Sequence, residues 1–285
     1  MPLNAAALRD WAFDERHQAI TDRDTMLYAL SIGFGADPMD ERELPFVYEP
    51  HLQAVPTMGA TLCHLGAWTK DARTGITVAK VVHGEQRMQF HAPLPPAARL
   101  VGRARVAGLE DKGADKGALM HVERTISDAD SGQPLVTIVQ TSFCRADGGF
   151  GEGFGSTFTP HVLPERAPDL QVDVPTRPDA ALLYRLNVDR NPLHADPAFA
   201  KRAGFERPIL HGLCTYGIAA RVLLASLLGY QPARLRSLDA RFSSAVLPGE
   251  TLSFDIWRDG DVASFRAFVR ARGKQVLDNG RALVA

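Results

Sequence analysis

The sequence predicts an α+β protein made of two similar units, each a curled antiparallel sheet around its own long helix. Along the 285 residues, a helix followed by a run of short strands occurs twice, which indicates an internal duplication. Turns rich in glycine, proline and aspartate separate the strands, a pattern that favours antiparallel pairing over parallel crossovers. We therefore predict a first unit at residues 1–145, a linker at 146–180 and a second unit at 181–285.

The first unit opens with residues 1–20, which read as a surface segment. The apolar spacing at residues 22–35 and the closing glycine predict a helix, and residues 46–50 read as extended chain. The apolar, small-residue segment 57–68 predicts a buried helix packed closely on a sheet. Predicted strands follow at residues 76–80, 86–91, 100–109, 119–127 and 135–143.

The second unit repeats this order after a glycine-rich and then proline-rich stretch. The run Gly148 to Gly151 lacks the spacing of a phosphate-binding loop, which leaves phosphate binding the weaker alternative there. Asp196 is predicted to cap a short helix that starts at Pro197, and a long apolar helix is predicted at residues 212–229. Predicted strands follow at residues 234–246, 251–258, 263–271 and 275–284.

Composition excludes several functional classes. The net charge of −1, with 23% charged residues, gives no global field that favours nucleic acid or an anionic membrane. No apolar run reaches the roughly 18 residues of a membrane span. The cysteines, Cys63, Cys144 and Cys214, lie far apart without metal-ligand spacing, so we expect buried thiols. The ends show neither a secretory signal nor a Ser-Lys-Leu ending, and we expect a cytoplasmic protein.

Residues 184–215 concentrate the polar chemistry. Asp189, Asn191 and His194 lie within six residues, with Pro192 between them. Proline disfavours a helical conformation at Asn191, so we expect a bent segment that aims Asp189 and His194 at one point. A carboxylate and an imidazole that share one water can act as a general base and a general acid. The alternative is plain turn chemistry, because aspartate, asparagine and proline all favour turns.

A second motif, Pro208-Ile209-Leu210-His211-Gly212, precedes the long predicted helix. A glycine at a helix start lets a ligand approach free backbone N–H groups closely, where the helix dipole favours negative charge. We therefore expect Gly212 to stabilise an oxyanion.

Together these motifs resemble the signature of the hydratase 2 family, the (R)-specific 2-enoyl-CoA hydratases, also called MaoC-like dehydratases. The family pattern is Tyr-Arg-Leu-Ser-Gly-Asp-x-Asn-Pro-Leu-His, followed by Pro-Ile-Leu-His-Gly. This chain departs from it at Asn187 and Val188, where the family usually has Ser-Gly. Further similar motifs lie in the first half, at residues 46–49, 83–86, 93–95, 111–113 and 148–151.

The resemblance implies a tandem hot-dog fold and the reversible addition of water to a trans-2-enoyl-CoA, giving an (R)-3-hydroxyacyl-CoA in fatty acid metabolism. It implies an acyl-CoA partner, no metal or redox cofactor and, by analogy, a homodimer. Asp189 would deprotonate the water that attacks C3, and His194 would pass a proton to C2. The second half would carry the chemistry, while the first half would shape the acyl tunnel.

The resemblance also implies roles for further residues. Glu49 corresponds to a catalytic glutamate of the family, with a structural hydrogen bond as the alternative reading. Gly212 would be the oxyanion donor. Contacts with the CoA part would come from His83, Gly84, Lys112, Asn191 and Phe242. Lys112 could instead be a solvated lysine in a turn, and His211 is expected to hold the loop.

Two other functional classes stay open at this stage. One is a different hot-dog enzyme, such as a thioesterase or a dehydratase acting on acyl-carrier-protein substrates. The other is a catalytically silent acyl-CoA-binding protein, with Asn187 and Val188 marking a decayed site. Valine tolerates positive φ poorly, so an active site requires Val188 at negative φ, with Asp189 and His194 convergent.

Overall fold

The computed structural model describes residues 3–285. The described helices are α1 Ala5–Arg9, α2 Asp22–Ser31, α3 Leu44–Val47, α4 Ala180–Tyr184, α5 Pro197–Arg202 and α6 Gly212–Leu227. The described strands are β1 Arg16–Ile20, β2 Val81–Phe90, β3 Ala98–Asp111, β4 Ala118–Asp128, β5 Pro134–Cys144, β6 Phe154–Gly155, β7 Leu170–Pro175, β8 Leu235–Phe242, β9 Thr251–Asp259, β10 Val262–Val269 and β11 Lys274–Val284.

All of these strands belong to one antiparallel sheet. Its order is β1-β3-β4-β5-β2-β8-β11-β10-β9-β7, with β6 added beside β3. The halves of the chain join where β2 pairs with β8, from Glu85 opposite Arg241 to Gln89 opposite Ser237. This architecture confirms the predicted α+β class and the arrangement of two units edge to edge. Within residues 3–285, no helix combines the length and the apolar character needed to cross a bilayer.

The second unit follows its sequence pattern closely. Helix α6 is apolar on nearly every side, and most of its sixteen residues are buried, as expected of a helix enclosed by a sheet. The Tyr216 hydroxyl donates to the Leu238 carbonyl oxygen at 2.6 Å. Asp196 caps α5 by accepting from the Ala198 and Phe199 N–H groups, which confirms the predicted cap.

The first unit departs from the prediction at its centre. Residues 57–68 do not form the predicted long helix; a 3-10 helix spans Pro56–Thr61, and the chain then turns through Cys63 at a φ of 49°. Proline and glycine have low helix propensity, and the chain lies tightly against the sheet. A Cβ on Gly59 would lie 3.0 Å from the Val136 side chain. An apolar run of this length shows burial, but its periodicity does not distinguish a helix from other buried chain.

Four smaller predictions are also corrected. Residues 1–20 contain α1 and β1 rather than surface chain alone. Residues 46–47 belong to α3 rather than to extended chain; Pro45 lies in the first turn of this helix, where proline is favourable. Residues 76–80 are not a strand, because β2 begins at Val81. The segment predicted as a linker contributes β7, which pairs with β9 from Leu170 opposite Ile256 to Pro175 opposite Thr251.

A buried ion pair links the first unit to the central helix of the second. The Glu43 side chain is 3% exposed, and one of its oxygens accepts from Arg221 Nη2 at 2.7 Å and Nε at 3.0 Å. Its other oxygen accepts from the Gly35 N–H at 2.7 Å. The Arg221 side chain is 18% exposed, so removal of Glu43 would leave its charge with little access to water.

We predict that Glu43→Ala lowers the free energy of unfolding by about 3–5 kcal/mol, because Arg221 is left without its carboxylate. Glu41→Ala is the matched control. Glu41 is exposed in the same turn, and its loss should change stability by less than about 0.5 kcal/mol. Urea unfolding of both variants measures the difference. Equal stability of the two variants would contradict an energetic role for the pair.

Candidate functional site

The motif residues line a cavity of about 580 Å³ at the junction of the two units. The second unit supplies the motif loop, the start of α6 and the end of β8, and the first unit supplies the start of β2 and Arg145. Asp189, Asn191, His194, Gly212 and Phe242 all line this cavity, as does His83. The structure therefore brings together most of the residues that the sequence singled out.

The loop that carries the pair is bent as predicted. Asn191 has φ −54° and ψ 126°, and a 3-10 helix spans Pro192–His194. Local hydrogen bonds hold the bend: Asp189 Oδ1 accepts from the Asn191 N–H at 2.9 Å, and Asn191 Oδ1 accepts from the Leu193 N–H at 3.1 Å. The motif therefore forms a turn, as the alternative reading expected, and this turn positions Asp189 and His194 in the cavity.

The departure at Asn187 and Val188 leaves this loop unstrained. Among the described non-glycine residues, positive φ occurs at His51, Cys63, Tyr230 and Asn279, and Val188 is outside this set. Asn187 Nδ2 donates to Ser31 Oγ at 3.0 Å and to the Tyr184 carbonyl oxygen at 2.9 Å. The predicted conformation of Val188 is confirmed, and Asn187 ties the loop to the first unit through Ser31.

The carboxylate and the imidazole face each other across a short gap. Asp189 Oδ2 lies 3.8 Å from His194 Nε2; the His194 side chain is 9% exposed and that of Asp189 is 46% exposed. This separation is too long for a direct hydrogen bond, but both atoms can bond the same water. His194 Nδ1 lies 2.8 Å from the Ile209 carbonyl oxygen. A carbonyl only accepts, so Nδ1 carries the hydrogen and Nε2 presents its lone pair.

A second imidazole supports the first. The His211 ring stacks on His194 with centroids 3.6 Å apart, and its Nε2 donates to the Asp189 carbonyl oxygen at 3.1 Å. Burial, together with the charge of His194, lowers the pKa of His211 to about 4. Burial also lowers the pKa of His194, although the Ile209 carbonyl and the Asp189 charge oppose it. Both rings are therefore neutral at pH 7, and His211 holds the loop as expected.

Gly212 is the first residue of α6, and the preceding His211 makes no side-chain cap. The first N–H groups of a helix have no acceptor within the helix, so they are available to a ligand in the cavity. A Cβ at Gly212 would lie 3.2 Å from the Phe242 ring. A side chain at this position would therefore have to displace the Phe242 ring slightly.

The predicted CoA contacts fall into two groups. The His83 ring packs edge-on against Phe242, with centroids 4.7 Å apart, and both rings line the cavity with Asn191. Gly84 lies beside the cavity at a β2 bulge, where a Cβ would meet the Thr141 carbonyl oxygen at 3.4 Å. Lys112 is outside the lining, in the β3–β4 hairpin, where it pairs with Glu110 at 2.7 Å.

Glu49 does not join the catalytic pair. It is exposed in the turn after α3, where its carbonyl oxygen accepts from the Leu52 N–H at 3.2 Å, and it is absent from the lining of the cavity. The structure therefore gives no geometric support to a catalytic role. The physical reason is that residues 44–47 form a helix rather than the expected extended chain, and this helix ends at the surface.

The cavity lining also includes residues to which the sequence pattern assigned no role. Arg145 follows β5 directly and places a cation at the cavity wall; its signal was only a lone basic residue before the glycine-rich stretch. Ser243 and Ser244 follow Phe242 and had no motif to mark them. Tyr184 opens the motif, and its buried hydroxyl has no hydrogen-bond partner among the described residues.

One metal-binding geometry exists on the described part of the chain. Asp189, His194 and His211 each offer a ligand atom, and these atoms lie within 4.8 Å of one another. One nitrogen of each imidazole already lies within hydrogen-bond distance of a backbone carbonyl. The expectation that the site works without a metal stays a prediction.

We predict that the His211 imidazole titrates near pH 4 and stays neutral at pH 5, because the ring is buried. The folded pKa lies below the unfolded value of about 6.5. The unfolded chain therefore binds the extra proton, and this group reduces folding stability as pH falls from about 6.5 towards 4. Side-chain ¹⁵N NMR measures the titration, with His211→Gln assigning the signal. A midpoint near 6.5 would contradict the burial argument.

Comparison with known proteins gives the family. The MFE-2 hydratase 2 N-terminal domain matches residues 19–146, and the MaoC like domain matches residues 160–279. The 3-hydroxyacyl-thioester dehydratase Y of Mycobacterium tuberculosis is 42% identical over 271 residues, which cover 91% of each chain. The peroxisomal enoyl-CoA hydratase 2 of Arabidopsis thaliana is 37% identical over 284 residues, which cover 92% of this chain and 90% of that protein.

A solved structure agrees with these matches. The crystal structure of a MaoC-like dehydratase from Phytophthora capsici has a TM-score of 0.88 and 30% identity, covering 99% of this chain and 98% of that one. By sequence and by structure, the chain belongs to the MaoC-like dehydratases that carry a hydratase 2 N-terminal domain.

Proposed function

We propose that this protein is an (R)-specific enoyl-CoA hydratase, which adds water reversibly to a trans-2-enoyl-CoA in fatty acid metabolism. The observation that carries the proposal is the gap of 3.8 Å between Asp189 Oδ2 and His194 Nε2, which suits one shared water. The curated relatives support it, because their names describe an enoyl-CoA hydratase and a 3-hydroxyacyl-thioester dehydratase. Hydration and dehydration are the two directions of one reaction.

The tautomer of His194 changes the roles expected of Asp189 and His194. With its hydrogen on Nδ1, His194 presents an acceptor to the water, so Nε2 takes a proton as the oxygen attacks C3. The Asp189 carboxylate accepts the other water hydrogen, which stays on the product hydroxyl, and stabilises the transient imidazolium. Nε2 then returns its proton to C2, which completes the addition. The resemblance implied that Asp189 deprotonates the water; the hydrogen bond from His194 Nδ1 to the Ile209 carbonyl instead favours His194 Nε2 as the first proton acceptor.

The start of α6 supplies the remaining catalytic element. Negative charge develops on the thioester oxygen when water adds at C3, and N–H groups aimed at that oxygen lower the barrier. The free Gly212 N–H is the donor that we propose for this role. Since the proton carriers and the oxyanion donor are protein groups, we propose that no metal or redox cofactor takes part.

The substrate spans both units. His83, Phe242 and Arg145 form the side of the cavity that we assign to the CoA moiety, where the Arg145 cation suits a phosphate. Binding of acyl-CoA by a decayed, silent site is the weaker alternative, because the loop at Val188 keeps an ordinary conformation and Asp189 faces His194. The cytoplasmic location and the homodimer remain predictions; the Arabidopsis relative is a peroxisomal enzyme by name.

We predict that Asp189→Asn and His194→Gln each lower kcat for crotonyl-CoA hydration by about 10²-fold or more, the usual contribution of general acid–base groups. The double variant should be little worse, because the two residues act as one unit. Loss of absorbance of the conjugated thioester measures turnover. Asp173→Asn and His17→Gln, both at exposed strand positions, should match the wild type. Near-normal turnover of Asp189→Asn would contradict a catalytic role for this carboxylate.

We also predict syn addition, because one water held by two groups on one face delivers its oxygen and a proton to that face. The (R)-3-hydroxyacyl product is the further expectation that the resemblance to the hydratase 2 family implies. Chiral chromatography of the hydrolysed product reports the configuration at C3, and the proton NMR coupling between C2 and C3 of product formed in deuterated water reports the configuration at C2. An (S) product would end the assignment to this specificity even if hydration occurred.

A further inference from the structure

A buried arginine in the first unit lines a second, smaller cavity. Arg124 lies on β4 and is 7% exposed, and its Nη2 donates to the Ala60 carbonyl oxygen at 3.0 Å. Its Nε is buried and has no hydrogen-bond partner among residues 3–285. No described carboxylate lies within 4 Å of it either. The cavity measures about 150 Å³, and Gln140 and Ser142 on β5 share its wall.

This cavity is a neighbour of the catalytic one. Val81 lines both of them. His64 also lines the smaller cavity. Burial and the Arg124 charge lower the pKa of His64, while the Asp189 charge from the second unit raises it. On the sheet, His83 faces Ser142 across β2–β5, and Arg124 faces Ile138 across β4–β5. These registers place the His83 and Arg124 backbones about 17 Å apart.

The missing helix of the first unit creates the space. The chain that covers this part of the sheet is the 3-10 helix Pro56–Thr61 and the irregular residues after it. In the second unit the same position is filled by the long helix α6. An acyl chain that passes Val81, which lines both cavities, would meet the wall that carries Arg124.

The unpaired buried groups on this wall and on the strand beside it are donors. Gln86 Nε2 is buried and lacks a partner among the described residues, and Gln86 lies opposite Gln140 on the adjacent strand. Burying a cation without a counter-charge costs several kcal/mol, and burial lowers the pKa of Arg124 to about 10. A guanidinium and an amide donor left free together are complementary to a group that only accepts, such as a carboxylate.

We propose that Arg124, assisted by Gln86, binds a carboxylate at the far end of the acyl chain, so that the enzyme prefers enoyl-CoA substrates with a terminal carboxylate. The inference rests on the proposed function for its reaction, but its binding step is independent of turnover. It assigns Arg124 a specificity role; the residue does not touch the reacting atoms.

The test compares pairs of trans-2-enoyl-CoA substrates of equal length, one ending in a carboxylate and the other in its methyl ester, over six to twelve carbons. At the length that reaches Arg124, we expect wild-type kcat/KM to favour the carboxylate by about tenfold or more, equivalent to about 1.4 kcal/mol. Arg124→Met should remove this preference. Because the readout is a ratio within one variant, a general change in activity cancels.

Two further variants keep the result interpretable. Arg105→Met removes an exposed arginine that pairs with Glu123 on β4, and it should retain the wild-type ratio. Arg124→Lys keeps a cation and should retain part of the preference if Arg124→Met fails to fold. Equal kcat/KM for the two substrates at every length in the wild type would overturn the inference, and so would an unchanged ratio in Arg124→Met.

A binding experiment separates this inference from the proposed function. Isothermal titration with saturated acyl-CoAs, one with a terminal carboxylate and one with its methyl ester, needs no hydration. Tighter binding of the carboxylate that is lost in Arg124→Met supports the inference even if crotonyl-CoA is not hydrated. Hydration of crotonyl-CoA without any carboxylate preference in binding overturns the inference and leaves the proposed function standing.

Discussion

The pairing of β2 with β8 is the constraint on which the site depends. Through it, two curled sheets become one, and the start of β2 is carried to the end of β8, beside the start of α6. His83 from one unit then packs on Phe242 from the other. Neither unit alone encloses the cavity, because each lacks one wall. The buried pair of Glu43 and Arg221 secures the same junction from the helix side.

Within the cavity, hydrogen bonds to backbone carbonyls determine the chemistry. The Ile209 carbonyl sets the tautomer of His194, and His211 bonds the Asp189 carbonyl while stacking on the His194 ring. Both motifs of the sequence are therefore needed to orient one imidazole. This explains why Pro208 to Gly212 accompanies the motif around Asp189: the second motif supplies the carbonyl acceptor, the supporting ring and the free N–H at the helix start.

The two units have diverged in what fills their sheets. In the second, α6 occupies the centre and its N-terminus faces the substrate. In the first, the short 3-10 helix leaves room beside a wall that carries Arg124 and Gln140. Loss of a packed helix removes buried apolar area, and the first unit compensates partly by packing α2 against α6. There, a Cβ on Gly217 would lie 2.6 Å from the Ile32 side chain.

Local sequence patterns are sufficient to predict the α+β class, the strands after residue 81, helix α6 and the Asp189–His194 pair. These features depend on local periodicity, on caps and on turn residues, whose effects extend over a few neighbours. The conformation of residues 57–68, the position of Glu49 and the tautomer of His194 depend instead on tertiary contacts. The sequence predicted a buried helix at residues 57–68. Residues 57–63 are buried, but the chain there lies close against Val136 and forms only a short 3-10 helix. Glu49 lies at the surface because a helix forms at residues 44–47, and the tautomer of His194 depends on a carbonyl fifteen residues away. These features arise from contacts between distant segments, which no local pattern of residues records.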